Sequence, residues 1–185
     1  KVKEIIDLNL PQARVRRFDR DILDSMEKVE ATLQKFNDGE VDVLVGTQII
    51  SKGHNFPRVN TVLVLGIDNQ FNFPDFRANE RAFQLLIQVS GRAGRFSNTG
   101  KVFVQTLNPD NSVFNYLDKA DAHGFIAEEL KCRELFSLPP YARLAALYFT
   151  DKSGEQAQKL AETAMRIMEQ LKKDNFDGVE IIGPR

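Results

Sequence analysis

Eight residues near the middle of the chain, Gln88-Val89-Ser90-Gly91-Arg92-Ala93-Gly94-Arg95, set two arginines among glycines just behind a pair of glutamines. On a helix turning about 100° per residue, Gln84, Gln88, Arg92 and Arg95 fall within roughly 80° of one another as one polar stripe. Ala82, Leu85, Leu86, Val89 and Ala93 fall in the opposite sector and would pack on a sheet, anchoring the helix with its guanidiniums outward. Arginine there suits phosphate, because its planar fork stays charged and donates two parallel hydrogen bonds where lysine acts as a point charge. Gly91 and Gly94 leave room for another backbone or a nucleotide to come close. The residues also fit a plainer reading, a solvated helix face ending at a glycine cap, its arginines favoured by the helix dipole.

A second segment upstream runs Val41-Asp42-Val43-Leu44-Val45-Gly46-Thr47-Gln48-Ile49-Ile50-Ser51-Lys52-Gly53-His54-Asn55-Phe56-Pro57. Residues 41–45 read as a short buried parallel strand. Gly46-Thr47 then turns the chain at the strand's carboxyl end, where open α/β sheets place their ligands. The Thr47 hydroxyl, the Gln48 amide and the unhindered Gly53 N–H suit phosphates of ATP or of a DNA strand. An ordinary strand-turn-helix would also use Gly and Thr here.

Together the two segments resemble motifs V and VI in the second motor lobe of a superfamily 2 helicase. Pro74-Asp75-Phe76-Arg77-Ala78-Asn79-Glu80-Arg81 and Leu138-Pro139-Pro140-Tyr141 resemble the replication-restart helicases of bacteria, the primosomal protein N′ family. The likeness runs from Arg14 to Pro184. It implies an α/β fold, a RecA-like lobe with a parallel sheet flanked by helices, followed by part of a small α+β domain. It implies an ATP-dependent 3′-to-5′ DNA helicase that recognises stalled or branched forks and starts primosome assembly. By the same resemblance Arg95 is the arginine finger, and Arg92 supports it. Gln88, Gly91, Gly53 and Thr47 face the nucleotide, while Thr47, Gln48 and Lys52 face DNA. Implied partners are single-stranded and forked DNA, the single-strand DNA-binding protein and the primosome loading proteins, in the cytoplasm.

The resemblance also marks what this sequence lacks. There is no Gly-x-x-x-x-Gly-Lys-Ser/Thr loop and no acidic magnesium box, so the cradle for ATP and Mg2+ belongs to another part of an intact protein. Family members carry zinc on an eight-cysteine insertion, whereas this chain has Cys132 alone and thus no zinc ligand set. The chain therefore reads as a fragment, inactive by itself. Asn69 stands after Asp68 where relatives often have glycine. Two other readings are a related branch-remodelling translocase, which the Leu138-Pro139-Pro140-Tyr141 segment disfavours, and a non-enzymatic DNA- or protein-binding module.

The elements that must position these residues alternate. Helices are expected at 1–8, 25–37 with Ser25 as N-cap, and from Asp75 onward; strands are expected at 13–18, 41–46, 61–65 and 101–106. Such alternation argues for a parallel sheet with flanking helices. Asn108-Pro109-Asp110 breaks the pattern and sets a boundary between residues 1–110 and 111–185. Beyond it, helices are expected at 112–120, 124–135 and 154–173, and strands at 142–150 and 179–182. The last helix should turn Ala157, Leu160, Ala164, Ile167, Met168 and Leu171 inward.

Composition narrows the class. The net charge is −1, so bulk electrostatics announce no nucleic-acid binder and any such contact must be local. Arg14, Arg16, Arg17 and Arg20 form the one dense basic cluster, a phosphate track or an edge strand with solvated arginines. A single cysteine implies no disulfide framework, and no apolar run is long enough to span a membrane. His54 and His123 lack neighbours at ligand spacing, so no metal site is expected. Asp68 reads as a turn former rather than a catalytic carboxylate. Phe71, Phe73 and Phe76 fit packing of their own loop better than base stacking. The charges of residues 75–81 read as a helix-capping network.

Overall fold

The computed structural model describes residues 1–19, 26–47, 56, 59–91, 100–152, 154–175 and 178–183. The chain divides into two units, Lys1–Phe136 and Ser137–Arg185. The first holds α1 (Val2–Asn9), β1 (Val15–Phe18), α2 (Met26–Asn37), β2 (Val43–Gly46), β3 (Thr61–Val64), α3 (Asp68–Phe71), α4 (Ala78–Ser90), β4 (Lys101–Val104), α5 (Ser112–Asp118) and α6 (Ala122–Leu135). The second holds α7 (Glu155–Asn175).

Parallel strands need a crossover between them, and the sequence supplies one each time. β1 pairs with β2, Val15 opposite Val43 and Phe18 opposite Gly46, with α2 as the crossover. β3 pairs with β4, Thr61 opposite Lys101 and Val64 opposite Val104, with α3 and α4 between them. The expected parallel pairing is thus present as two two-stranded ladders. Each ladder has its own core. Phe18, fully buried, packs with Leu33 of α2 and with Phe56, whose ring meets that of Phe36 edge-on at 5.6 Å. The other core joins Ile67, Ala82, Phe83, Leu86, Val113 and Phe125, so α4 packs against α5 and α6 as well as beside the sheet.

Helices α5 and α6 lie beyond the Asn108-Pro109-Asp110 break, yet Val113 and Phe125 belong to the core of the first unit. Local chemistry starts both helices. The Asn111 side chain accepts from the Val113 N–H at 3.0 Å, and Asp121 accepts from the Gly124 N–H at 2.8 Å. That cap starts α6 at Ala122, two residues before the expected start. A larger residue at 124 would displace the capping carboxylate, since a Cβ there would stand 2.1 Å from an Asp121 carboxylate oxygen and 2.9 Å from the Tyr116 ring.

Three expectations differ from the structure. The helix expected from Asp75 begins at Ala78, because the Asp75 carboxylate accepts from the Arg77 N–H at 2.9 Å and holds a turn there. The stretches 142–150 and 179–182 form no ladder among the described residues, and a β-prone stretch without a hydrogen-bonded neighbour stays irregular. On α7 the apolar stripe exists, but Leu160, Ile167 and Leu171 are at least half exposed rather than inward. Among the described residues no helix is long and apolar enough to cross a membrane.

Candidate nucleotide and nucleic-acid site

Helix α4 carries the polar stripe, and its anchoring follows from the residue pattern. Ala82 and Leu86 are wholly buried and Val89 nearly so, while Leu85 packs partly against the same core. Phe83, one flank away, is also buried, stacked on Phe125 with centroids 4.1 Å apart and planes 20° apart. The helix is therefore gripped along two flanks. Gln84 is exposed and donates to Glu80 at 3.1 Å; Gln88 is half-buried and Gly91 exposed. Gln88 and Gly91 stand three residues apart, neighbours on one helical face. Gly91 ends α4 with φ −68° and ψ −4°, a right-handed conformation open to any residue. A Cβ there would meet only ordinary contact, 3.5 Å to the Ile87 carbonyl. Gly91 does cap the helix, as the plainer reading has it, yet neither a left-handed backbone nor packing among the described residues demands glycine there.

At the carboxyl end of β2, Thr47 is exposed directly after Gly46. Gln48, Lys52, Gly53, His54, Arg92 and Arg95 lie outside the described residues, as do Arg20 and the expected cap Ser25. Of the sequence-derived site, the structure thus places Thr47 at a strand end and Gln88 with Gly91 at a helix end. The carboxyl ends of the other ladder are clasped by Asp68. Its carboxylate accepts from the Thr106 hydroxyl at 2.8 Å and from the Leu107 N–H at 3.1 Å. Asp68 opens the short α3 rather than standing as a free acid, so its role is structural.

The loop before α4 is held by charge. Asp75 pairs with Arg77 at 3.0 Å and with Arg81 at 2.9 Å. The hydrogen bonds from Arg77, side chain first and backbone second, hold the Asp75 carboxyl at about 2. Phe76 lies between two guanidiniums, Arg77 at 5.2 Å and Arg133 of α6 at 5.0 Å from its ring centre. Arg133 also bridges Glu80 of α4 at 2.7 Å and Glu129 at 3.0 Å. Phe71 meets Phe114 edge-on at 5.8 Å, whereas Phe73 is 54% exposed. Residues 75–81 form a charge network centred on Asp75, but not the expected helix cap, since no side chain caps the start of α4. The network's partner Arg133 was missed, because nothing in the local sequence marks a contact spanning that distance along the chain.

The basic cluster of β1 is divided. Arg14 grips Asp42 through two nitrogens, at 2.8 and 2.7 Å, and donates to the Gly39 carbonyl at 2.6 Å, joining the starts of β1 and β2. The side-chain bond from Arg14 pushes the Asp42 carboxyl well below its ordinary range. Arg17 pairs with Asp19 at 2.6 Å. No group of three or more His, Cys, Asp or Glu side chains among the described residues could hold a metal ion.

Residues 3–97 match the helicase conserved C-terminal domain, more than half of the chain. Over 184 residues, all of this chain, the sequence is 39% identical to "Replication restart protein PriA" of Synechocystis sp., covering 22% of that protein. It is likewise 40% identical to the protein of the same name from Bacillus subtilis, covering 22% of it, and 36% identical to that of Rickettsia conorii, covering 28%. The chain thus spans about a quarter of the length of these relatives. The matched region ends just past Arg95, so it takes in β1 and β2 of one ladder, β3 of the other, the gripped helix α4 and the arginine segment after it. With this match the chain belongs to the helicase conserved C-terminal domain family, as a RecA-like α/β lobe, and along its whole length it is similar to replication restart proteins.

Proposed function

We propose that the chain forms the second motor lobe of an ATP-dependent 3′-to-5′ DNA helicase that recognises stalled or branched replication forks and starts primosome assembly. The observation that carries this reading is α4, gripped along two flanks by Ala82, Leu86 and Phe83 and leading from Gln88 and Gly91 into Arg92 and Arg95. A helix so held fixes Gln88 and Gly91 at its carboxyl end, and such preorganisation suits the stabilisation of developing charge. ATP would supply the γ-phosphoryl group whose transfer to water drives stepping. Arg95 would neutralise charge on that group, Arg92 and Gln88 would brace it, and Gly91 and Gly53 would let it approach the backbone. Thr47, Gln48 and Lys52 would hold the DNA strand at the end of β2 and relay the nucleotide state to it.

In this reading the phosphate cradle, the carboxylates for Mg2+ and the zinc ligands of the family reside elsewhere in a longer cytoplasmic protein. Forked DNA, the single-strand DNA-binding protein and the primosome loaders would be partners of that whole. The test is ATP turnover by the intact protein on single-stranded DNA. Arg95→Ala should lower turnover by a factor on the order of 10³ with little loss of ATP affinity, and Arg95→Lys should rescue little. Near-normal turnover in a folded Arg95→Ala protein overturns the assignment.

A further inference from the structure

We infer that a basic hollow between α1, β1 and α2 is a second, sequence-independent phosphate site that takes the backbone of a single nucleic-acid strand. It shares no residue with the motor face of Thr47, Gln88 and Gly91 and does not rest on the motor reading. The hollow has a volume of about 400 Å³ and is lined by Lys3, Arg16, Arg17, Thr32 and Lys35 together with Val15 and Val41, so that much of its wall is apolar. Four of its five polar side chains are cationic, and none of the lining residues is acidic.

Part of that charge is already answered. Lys3 pairs with Asp7, and Arg17 with Asp19. Arg16 and Lys35 are exposed and hold no ion pair among the described residues, so the hollow keeps an excess of positive charge. Thr32 donates its hydroxyl proton to the Lys28 carbonyl at 2.8 Å and offers an incoming group only lone pairs. Recognition therefore falls to charge-assisted contacts from a planar guanidinium and a mobile ammonium, the pair that suits phosphoryl oxygens. The lining has no aromatic ring to stack a base and no glycine-rich run of backbone N–H groups to enclose a triphosphate. An open hollow with cations and no base-reading groups fits a phosphodiester passing through it, held without regard to sequence.

The experiment uses the full 185-residue chain and a fluorescent thymidine oligonucleotide, followed by anisotropy from low to physiological salt. Arg16→Ala with Lys35→Ala should weaken binding about tenfold at low salt. It should also flatten the plot of log affinity against log salt by about 1.4, two phosphate contacts at ~0.7 each for a single strand. Lys131→Ala, an exposed charge on α6, should leave both quantities unchanged. Unaltered affinity and slope in the folded double variant overturn the inference. If the double variant melts early, Arg16→Gln alone decides, by a slope change of about 0.7 or none. An ATP titration separates the sources of phosphate: loss of ATP binding with unchanged oligonucleotide binding overturns the strand assignment. Lys52→Ala reports on the motor face separately, so failure of one reading is distinguishable from failure of the other.

Discussion

Leu86 is the most informative single side chain to remove, because it is wholly buried where α4 meets α5 and α6. Leu86→Ala deletes the outer carbons of a core residue and leaves a space that its neighbours can fill only in part. Phe83 and Phe125, already stacked at 4.1 Å, have little freedom to move into it. The loss should therefore be about 3 kcal/mol, within the range of roughly 2–5 for such truncations. The first unit, Lys1–Phe136, has 136 residues, and at ~2.1 cal/mol/K per residue its unfolding entropy is about 0.29 kcal/mol/K. The melting temperature should fall by about 10 °C. Leu107→Ala supplies the contrast, since that side chain is 92% exposed and its loss should stay within about 0.5 kcal/mol. Scanning calorimetry of the parent and both variants reads this directly. Equal shifts for the two leucines, or a Leu86→Ala melt within a degree or two of the parent, would refute the packing described for α4.

Asp68→Ala should destabilise the first unit by about 1 kcal/mol by removing its bonds to the Thr106 hydroxyl and the Leu107 N–H, with faster hydrogen exchange at Leu107; unchanged exchange there would remove the clasp. The Asp75 carboxyl is held down at about 2 against an ordinary 3.8, so its contribution is complete at neutral pH, begins to fail as pH drops through the ordinary value and is gone below about 2. Asp75→Asn should accordingly flatten the acid limb of a stability-versus-pH curve, and identical limbs for variant and parent would count against the Arg77 and Arg81 pairing. The chain by itself should release no phosphate from ATP above background with single-stranded DNA present, because a cradle Gly-Lys-Ser/Thr loop is absent from its sequence; turnover near once per second would place the catalytic parts within it.

Periodicity made α4 legible: the residues spaced for burial, Ala82, Leu86 and Val89, are buried, and Gln84 and Gln88 stay on the opposite side. Short β-branched runs likewise placed all four strands to within a residue or two. What local pattern could not carry is contact between distant segments. Phe83 looks like a misplaced apolar residue until Phe125 covers it, and Arg133 looks like a solvated helix charge until Glu80 and Phe76 come to it. The same blindness made 142–150 read as a strand, since alternation states a preference and only a neighbouring ladder fulfils it. For the candidate site, the positions of Gln88, Gly91 and Thr47 at element ends were readable because residue type and turn position are local. That glycine at 91 is unforced by its own backbone was not, since φ is a property of the folded chain.

Arg133 sits in the last turn of α6, just before the chain passes from the first unit into the second at Ser137. Its guanidinium holds Glu80 in the first turn of α4 and rests on the Phe76 ring in the loop before it. Mechanically this is a coupling pin. The pin ties the end of α6 to the root of α4 within the first unit. The stacked rings of Phe83 and Phe125 sit deeper along the same two helices and act as a second bearing. Two contacts at different depths on one pair of helices oppose rotation as well as sliding, so the root of α4 keeps its register on α6.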